Sequence, residues 1–565
     1  MSLPPAPRDA PAARPGVAPV TVFEAADSLS HIATGRPAGD APTDDTTASG
    51  ASLSRRTAGA FAWRFTSETS KLALQLSVQI TLARLLPVEA FGLLAVAMLV
   101  INFGTRLYEI GTGPAIIQRL ALTDVHIRVA FTLSLLSGTL FTLIVWLGAP
   151  AIASLFRAEP VTPVLRVIGL VFLIGSISTT AESLLQRRMD YRSLLTIEIV
   201  SYAVGYAAVG IGLALLHQGV WSLAWATLSQ AALRSTMLLA KVRHPARLSL
   251  AGREVRDLMN FGIGMTLSRI ASFSAQNADY FVVSRWLGTV ALGLYSRAYQ
   301  LMLLPIYQFS SIINAVLFPA YSSIQDDCAR LRHGYLASIT AASMVAFPAF
   351  TMLAIVAPEL MTGVFGPQWS GAARPLQILC VAGAAYCIYS LADSLTRAKG
   401  ALYVKFLYQS IYALCVFGGA MLARSRGISG VAVAVLGATV VAYLLMAHLS
   451  LRLTHTGWRP FLHAQLPAIA ICSVVAAAGI LVASLLRAAG AGALAVCVVT
   501  LMCASAVAVV AAFAFPSRYQ NQNVVEGLVA VRSYGFEQLV ALRCRCAADM
   551  RVAGSSIARV LLHWS

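Results

Sequence analysis

Ionisable side chains inside long apolar segments are the residues of this chain whose types and spacing favour chemistry. The first apolar segment contains Arg64, Glu68 and Lys71, at a spacing that places them on one helix face. The second segment adds Arg106 and Glu109, three residues apart. Because charges at membrane depth are costly, we expect these side chains to face a protein interior or a water-filled cavity.

A second group of charges lies in residues 258–317, where two apolar segments flank a short break. The first segment carries Arg269 and Asp279, and the second carries Arg297. Arginine suits phosphate because its planar guanidinium donates two parallel hydrogen bonds. We therefore predict a cationic cavity that receives an anionic head group. The candidates for contact with that group are Arg64, Lys71, Arg106, Arg269 and Arg297.

The acidic members of the set, Glu68, Glu109 and Asp279, have two interpretations. They bind a coupling cation, or they pair with the basic residues in buried ion pairs that fix helix packing. For Asp279, the candidate partners are Arg269 and Arg285. Both interpretations stay open at this point.

Residues typical of enzymes do not form a pattern here. The nine histidines never occur at metal-ligand spacing, and the nine cysteines form no paired zinc spacing. A phosphate-binding loop needs a glycine-rich turn followed by lysine, and none is present. We predict no catalytic residue, no metal site and no bound cofactor.

Composition sets the class of the protein. The 565 residues are 58% hydrophobic and 12% charged, against about 25% charged in soluble domains. Mean hydropathy is +0.73. The formal net charge of +18 is expected from basic cytoplasmic loops, so we do not predict a nucleic-acid partner.

Segment lengths predict an all-α polytopic membrane protein with about 14 transmembrane helices, since a span needs about 20 apolar residues. We expect two homologous six-helix bundles followed by two C-terminal helices. The predicted parts are a disordered cytoplasmic extension at 1–51, an N-terminal bundle at 52–241, a basic cytoplasmic linker at 242–257, a C-terminal bundle at 258–451, two additional helices at 452–515 and a basic amphipathic cytoplasmic tail at 516–565.

An internal repeat supports the two homologous halves. Residues 83–97 read ARLLPVEAFGLLAVA and residues 284–298 read SRWLGTVALGLYSRA, so that Gly92 matches Gly293 at an offset of 201 residues. This offset is typical of a duplicated multi-helix half rather than of a solenoid. A shorter match places Glu182 and Asp393 at similar positions, where we expect buried hydrogen bonds to loops.

Loop charge predicts the orientation. With the amino terminus in the cytoplasm, about 17 basic residues lie in cytoplasmic loops and about 8 in the opposite loops. Both termini are then cytoplasmic, and the loops around Thr289 and Gly371 are outside. The outside loops are too short to fold as domains, which argues against a polymerase or a ligase.

Two stretches resemble a known family. Residues 276–327, which begin QNADYFVVSRWLGTV, and residues 89–119, which begin EAFGLLAVAML, resemble the polysaccharide transporter (oligosaccharide flippase) family. That family belongs to the multidrug/oligosaccharidyl-lipid/polysaccharide exporter superfamily. The similarity is greatest to its colanic-acid-type lipopolysaccharide biosynthesis branch and covers about residues 52–516. An Asn-x-Asp element of the family matches Asn277-Ala-Asp279.

The resemblance implies a flippase in the bacterial inner membrane that moves an undecaprenyl-diphosphate-linked oligosaccharide by alternating access. It implies that the first, second, seventh and eighth spans face the cavity. Membrane lipids are expected partners, and the polysaccharide polymerase and export machinery are candidate ones. Coupling to a proton or sodium gradient stays open. The alternatives are a multidrug exporter of the same superfamily and a membrane glycosyltransferase or polymerase.

Overall fold

The computed structural model describes residues 70–108, 113, 116–117, 122–242, 248–249, 252, 273, 276–313 and 317–514. The chain divides into two compact units, Met1–Thr69 and Ser70–Ser565, and all described residues belong to the second. The predicted extension at 1–51 and the tail at 516–565 therefore lie outside the described residues, as does most of the linker at 242–257.

The amino-terminal half consists of consecutive helices. They are α1 (70–85), α2 (Val88–Tyr108), α3 (Asp124–Phe156), α4 (Val161–Ile168), α5 (Leu170–Arg187), α6 (Tyr191–Tyr202), α7 (Ile211–Leu215) and α8 (Val220–Lys241). A π-helix at Ala203–Gly210 joins α6 to α7 in one continuous span.

The carboxyl-terminal half has a similar order. Its helices are α9 (276–282), α10 (Thr289–Ile312), α11 (Phe318–Ser323), α12 (Cys328–Glu359), α13 (Ala373–Ala398), α14 (Leu402–Ala423) and α15 (Gly427–Leu453). After them come α16 (Trp458–His463), α17 (Leu466–Ala488) and α18 (Ala493–Ala514). A π-helix at Val283–Leu287 continues α9, and a π-helix at Leu360–Phe365 with a 3₁₀ turn at Pro367–Ala372 joins α12 to α13.

Nine helical runs within the described ranges are long and apolar enough to cross a membrane. Within those ranges the chain has helices and no strand, which confirms the predicted all-α polytopic membrane fold. The number fourteen is approximate. The first and seventh predicted spans are described only in part, and α8 and α10 are long but less apolar.

Several helices begin at a capping side chain, because the first N–H groups of a helix have no partner within it. Thr123 accepts from the His126 N–H at the start of α3, and Asp327 accepts from two N–H groups at the start of α12. Asp190 caps α6 by accepting from the backbone N–H and the hydroxyl of Ser193. These hydrogen bonds lower the pKa of Asp190, since they favour its charged form.

The two halves meet where α2 packs against α10. Gly92 lies against the backbone carbonyl of Thr289, and Gly293 lies against the backbone carbonyl of Val88. A Cβ atom at either glycine would overlap that carbonyl oxygen. One core cluster contains buried residues of both helices, among them Val96 and Ala298. The two halves therefore share a core. The two C-terminal helices, α17 and α18, pack against α12.

Candidate functional site

Two neighbouring cavities lie between the halves. The first, about 460 Å³, is called here the arginine cavity; α1, α2, α9 and α10 contribute to its wall, with residues including Gln79, Phe91, Tyr280, Arg297 and Gln300. The second, about 570 Å³, is called the tyrosine cavity; its wall includes Arg106, Tyr299, Tyr307, Tyr386, Tyr389 and Tyr412. Five residues line both, namely Asn102, Asn277, Tyr299, Leu303 and Tyr307. The two cavities therefore adjoin.

Arg297 is the buried cation of the arginine cavity, with 5% of its surface exposed. One of its terminal nitrogens donates to Oε1 of Gln79 at 2.9 Å and to Oε1 of Gln300 at 3.3 Å. No carboxylate of the described residues forms an ion pair with it. A buried charge without a counter-charge is costly. The site is therefore suited to an incoming anion.

Three aromatic rings partly compensate the charge of Arg297. Its guanidinium carbon lies 4.6 Å from the ring centroid of Phe91, 5.4 Å from Trp369 and 5.8 Å from Phe365. These distances fall within the range of about 6 Å for cation–π attraction. Phe91 belongs to the amino-terminal half and the other two rings to the carboxyl-terminal half. Arg297 therefore contacts both halves.

Hydrogen bonds next to these rings join the halves, and we call them the interhalf latch. Arg84 Nε donates to the Val364 carbonyl at 2.7 Å, and a terminal nitrogen of Arg84 donates to the Gly363 carbonyl. In return, Trp369 Nε1 donates to the Ala83 carbonyl at 3.0 Å. Gln368 Nε2 donates to the same carbonyl at 2.7 Å. Carbonyls at helix ends have no partner within the helix, so each half caps a helix of the other.

The other predicted substrate contacts have different positions. Arg106 is exposed, lines the tyrosine cavity and forms no ion pair with a described residue. Lys71 lines neither cavity; its Nζ lies 2.7 Å from Oε1 of Glu198 on α6. Of the remaining predicted residues, Arg64, Arg269, Glu68 and Glu109 lie outside the described residues.

Asp279 is buried beside the cavities, with 1% of its surface exposed. Its Oδ2 accepts from the Tyr295 hydroxyl at 2.6 Å, whereas Oδ1 has no hydrogen-bond partner among the described residues. Arg285, one of its two predicted partners, instead stacks over Trp286 at 5.8 Å. No metal-binding group of three acidic, histidine or cysteine residues occurs in the described part of the chain.

The matched carboxylates Glu182 and Asp393 form ion pairs in place of the expected hydrogen bonds to loops. Glu182 Oε1 lies 2.7 Å from Arg234 on α8, in a third cavity of about 470 Å³ within the amino-terminal half. Asp393 lies 2.6 Å from Lys405 and 3.2 Å from Arg397. Their partners come from helices, because intramembrane carboxylates need a cation at the same depth.

Sequence reasoning missed the tyrosines and glutamines of the cavities. On α10, Tyr299, Leu303, Tyr307 and Ser310 share one face and all line the tyrosine cavity. That helical spacing is a signal the sequence contains. Nothing in the sequence indicates that this face lies beside Tyr386 and Tyr389 of α13, because α10 and α13 are far apart in sequence.

Comparisons with known proteins agree with this architecture. The chain is 26% identical to the teichuronic acid biosynthesis protein TuaB of Bacillus subtilis over 364 residues, or 62% of this chain and 74% of TuaB. It is 25% identical to the lipopolysaccharide biosynthesis protein WzxC of Escherichia coli over 409 residues, or 70% of this chain and 82% of WzxC. The solved structure of the lipid II flippase MurJ, in an inward closed conformation, matches with a TM-score of 0.65. That match has 13% identity and covers 80% of this chain and 98% of MurJ.

Because the identity to MurJ is only 13%, this match shows a shared fold and nothing about function. The sequence relatives confirm the predicted resemblance to polysaccharide transporters. A family model described as polysaccharide biosynthesis protein matches residues 81–374, just over half of the chain. The chain belongs to the polysaccharide biosynthesis protein family.

Proposed function

We propose that the chain is a flippase that moves an undecaprenyl-diphosphate-linked oligosaccharide across the bacterial inner membrane for surface polysaccharide biosynthesis. The observation that carries the proposal is Arg297, a buried guanidinium in a cavity between the halves with no carboxylate partner among the described residues. The planar guanidinium of Arg297 can donate two parallel hydrogen bonds to a diphosphate, and the polar cavity around it lowers the cost of moving that group through the membrane. The description of the family and the name of WzxC, which refer to polysaccharide and lipopolysaccharide biosynthesis, support a role in this process.

The proposed transport requires no covalent step. The polar head group occupies the adjoining cavities while the long lipid tail stays in the bilayer. Alternating access then moves one half against the other around the bound head group. The interhalf latch holds one end closed, and the loop-charge bias assigns that end to the outside. We therefore assign both termini to the cytoplasm, with loops around Thr289 and Gly371 outside.

In this proposal the head group and the aromatic rings beside the latch compete for the Arg297 guanidinium. Arg297 lies against Phe91 and two aromatic residues of the latch region, so a diphosphate that draws its guanidinium away removes the cation–π contacts. Filling of the cavity thereby loosens the closed end. Asp279 stays the candidate coupling carboxylate. Its substitution by asparagine should abolish dependence on an imposed proton or sodium gradient if it holds the coupling ion.

Transport in vesicles tests the function. Purified protein in proteoliposomes should transfer undecaprenyl-diphosphate-linked oligosaccharide between leaflets, and Arg297→Ala should abolish the transfer. In cells, deletion should stop surface polysaccharide export and leave the lipid-linked precursor on the cytoplasmic leaflet. Normal polysaccharide together with altered resistance to cationic drugs would contradict the proposal and favour a drug exporter.

Labelling tests the orientation. Single cysteines placed at Thr289 or Gly371 in a variant without its nine native cysteines should react with an impermeant reagent added outside. A cysteine in the central linker, for example at Arg247, should react only after the membrane is opened. Outside labelling of the linker would overturn the proposed topology.

A further inference from the structure

The tyrosine cavity contains four tyrosine hydroxyls that are open to a ligand. Two helices supply its tyrosines with free hydroxyls: Tyr299 and Tyr307 on α10, and Tyr386 and Tyr389 on α13. None of these four hydroxyls bonds to another of the described residues. The wall also includes the amides of Asn102, Gln276 and Asn277 and the hydroxyls of Ser390 and Thr439. Three of these residues, Asn277, Ser390 and Thr439, already donate one hydrogen bond each to a backbone carbonyl. The cavity thus combines aromatic rings with many neutral donors and acceptors.

The charges of this cavity disfavour an organic cation. Asp393 is the carboxylate of its described wall, and it already contacts Lys405 at 2.6 Å and Arg397 at 3.2 Å. Arg106 adds a further positive charge that is exposed in the wall. Aromatic rings without a free carboxylate, next to cations, suit a polyhydroxylated neutral or acidic molecule better than a cation.

The tyrosine cavity lies where the remainder of a ligand bound at Arg297 would extend. It shares Asn102, Asn277 and Tyr307 with the arginine cavity, so a ligand with its phosphates on Arg297 extends directly into it. Tyr386 and Tyr389 have ring centroids 5.2 Å apart with planes tilted by 30°, and both rings are half-buried. Two neighbouring rings held in this way form a firm apolar surface with polar edges.

We propose that the tyrosine cavity is the glycan subsite, in which sugar rings pack on Tyr386 and Tyr389 and sugar hydroxyls bond to the open tyrosine hydroxyls and amides. The inference rests on the proposed flippase function, because it takes the diphosphate of the same substrate to lie on Arg297. The diphosphate of the substrate is then assigned to the arginine cavity, and its sugar rings are assigned to the tyrosine cavity. Recognition of the sugar then depends on residues that do not touch the phosphates.

Binding of two lipids by the purified full-length protein tests this assignment. The probes are undecaprenyl diphosphate and undecaprenyl diphosphate carrying an oligosaccharide. The variant Tyr386→Leu/Tyr389→Leu should bind the glycosylated lipid about tenfold more weakly, from lost packing and hydrogen bonds. Its affinity for the bare diphosphate lipid should stay within about twofold. Arg297→Ala should weaken both lipids equally.

Two further variants separate the contributions. Tyr386→Phe/Tyr389→Phe keeps the rings and removes the hydroxyls, so it should lose only part of the affinity for the glycosylated lipid. Tyr403→Leu is the matched control, since this tyrosine on α14 is 94% exposed and outside the cavity. It should bind both lipids as the wild type does.

The outcomes distinguish the inference from the function on which it rests. Wild-type protein that transports the lipid but binds both probes equally would overturn the glycan subsite and leave the flippase function standing. The same holds if the double leucine variant weakens both probes to the same extent. Wild-type protein that binds neither lipid, but binds tetraphenylphosphonium through these tyrosines, would overturn both.

Discussion

The two halves are alike at their crossing and different beside it. Gly92 and Gly293 occupy matched positions, and each lies against the backbone carbonyl of the first residue of the opposite helix. Gly92 lies against Thr289 of α10, and Gly293 lies against Val88 of α2. Four residues further along, the two copies have different roles: Arg297 lines the arginine cavity, whereas its counterpart Val96 is fully buried in the core. The duplication therefore supplies a symmetric joint, whereas the charge of the site comes from a position that carries arginine in only one of the two copies.

The largest effect should come from filling the joint. Gly92→Leu or Gly293→Leu places a side chain where a backbone carbonyl lies, and overpacking costs about 1–3 kcal/mol or more. Either variant should lose transport, and its membrane abundance should also fall at least about tenfold. Gly212→Leu is the control, because nothing lies within 4 Å of its Cβ position. Tolerance of one glycine variant but not of the other would show that the joint is not symmetric.

The second largest effect should come from Arg297, the charge that only one copy of the repeat carries. Arg297→Ala should abolish transport while abundance stays normal, and Arg297→Lys should keep part of the activity because it keeps the charge and loses the fork. The same pair of measurements applies to Arg64, Arg106 and Arg269. In a structural ion pair, removal of one partner costs about 3–5 kcal/mol. Loss of abundance that is restored by removing Glu68, Glu109 or Asp279 as well would assign the arginine to helix packing.

Arg84 and Arg285 occupy matched positions of the repeat, so their variants compare the two halves at the latch. Arg84 donates to two carbonyls of the other half, whereas NH1 of Arg285 has no hydrogen-bond partner among the described residues. Arg84→Gln should lower transport about fivefold or more, because it loses two hydrogen bonds at about 0.5–1.5 kcal/mol each. It should also increase labelling of a cysteine at Gly371. Arg285→Gln should change both by less than about twofold. Equal effects would show that the latch does not depend on Arg84.

The smallest effect should come from Lys71. It is paired with Glu198 and both side chains are partly exposed, at 20% and 38%, so the pair contributes about 0–1 kcal/mol. Lys71→Met should leave transport within about twofold of the wild type. A loss as large as that of Arg297→Ala, with abundance unchanged, would instead make Lys71 a substrate contact.

Particular residues show how far the sequence reaches. The internal repeat identified Gly92 and Gly293, because a residue that must be small at a close helix crossing is the same in both copies. The rule that charges at membrane depth face a cavity or a partner selected Arg297, which lines the arginine cavity. It also selected Lys71, which has a partner and lines neither described interhalf cavity. The rule applies to both residues equally, since it does not say where a partner lies.

The sequence by itself determined the membrane fold, since apolar length and backbone hydrogen bonding leave the helix as the available structure for such segments. It also determined which side chains are costly in a membrane, and therefore need a cavity or a partner. Only the tertiary structure decided which of the two each one has. Glu198 reaches Lys71 and Arg234 reaches Glu182 from distant helices, while Arg297 receives amides and aromatic rings instead of a carboxylate. The physical reason is that pairing depends on distances of a few ångströms between helices, and helical periodicity fixes only the face of each helix.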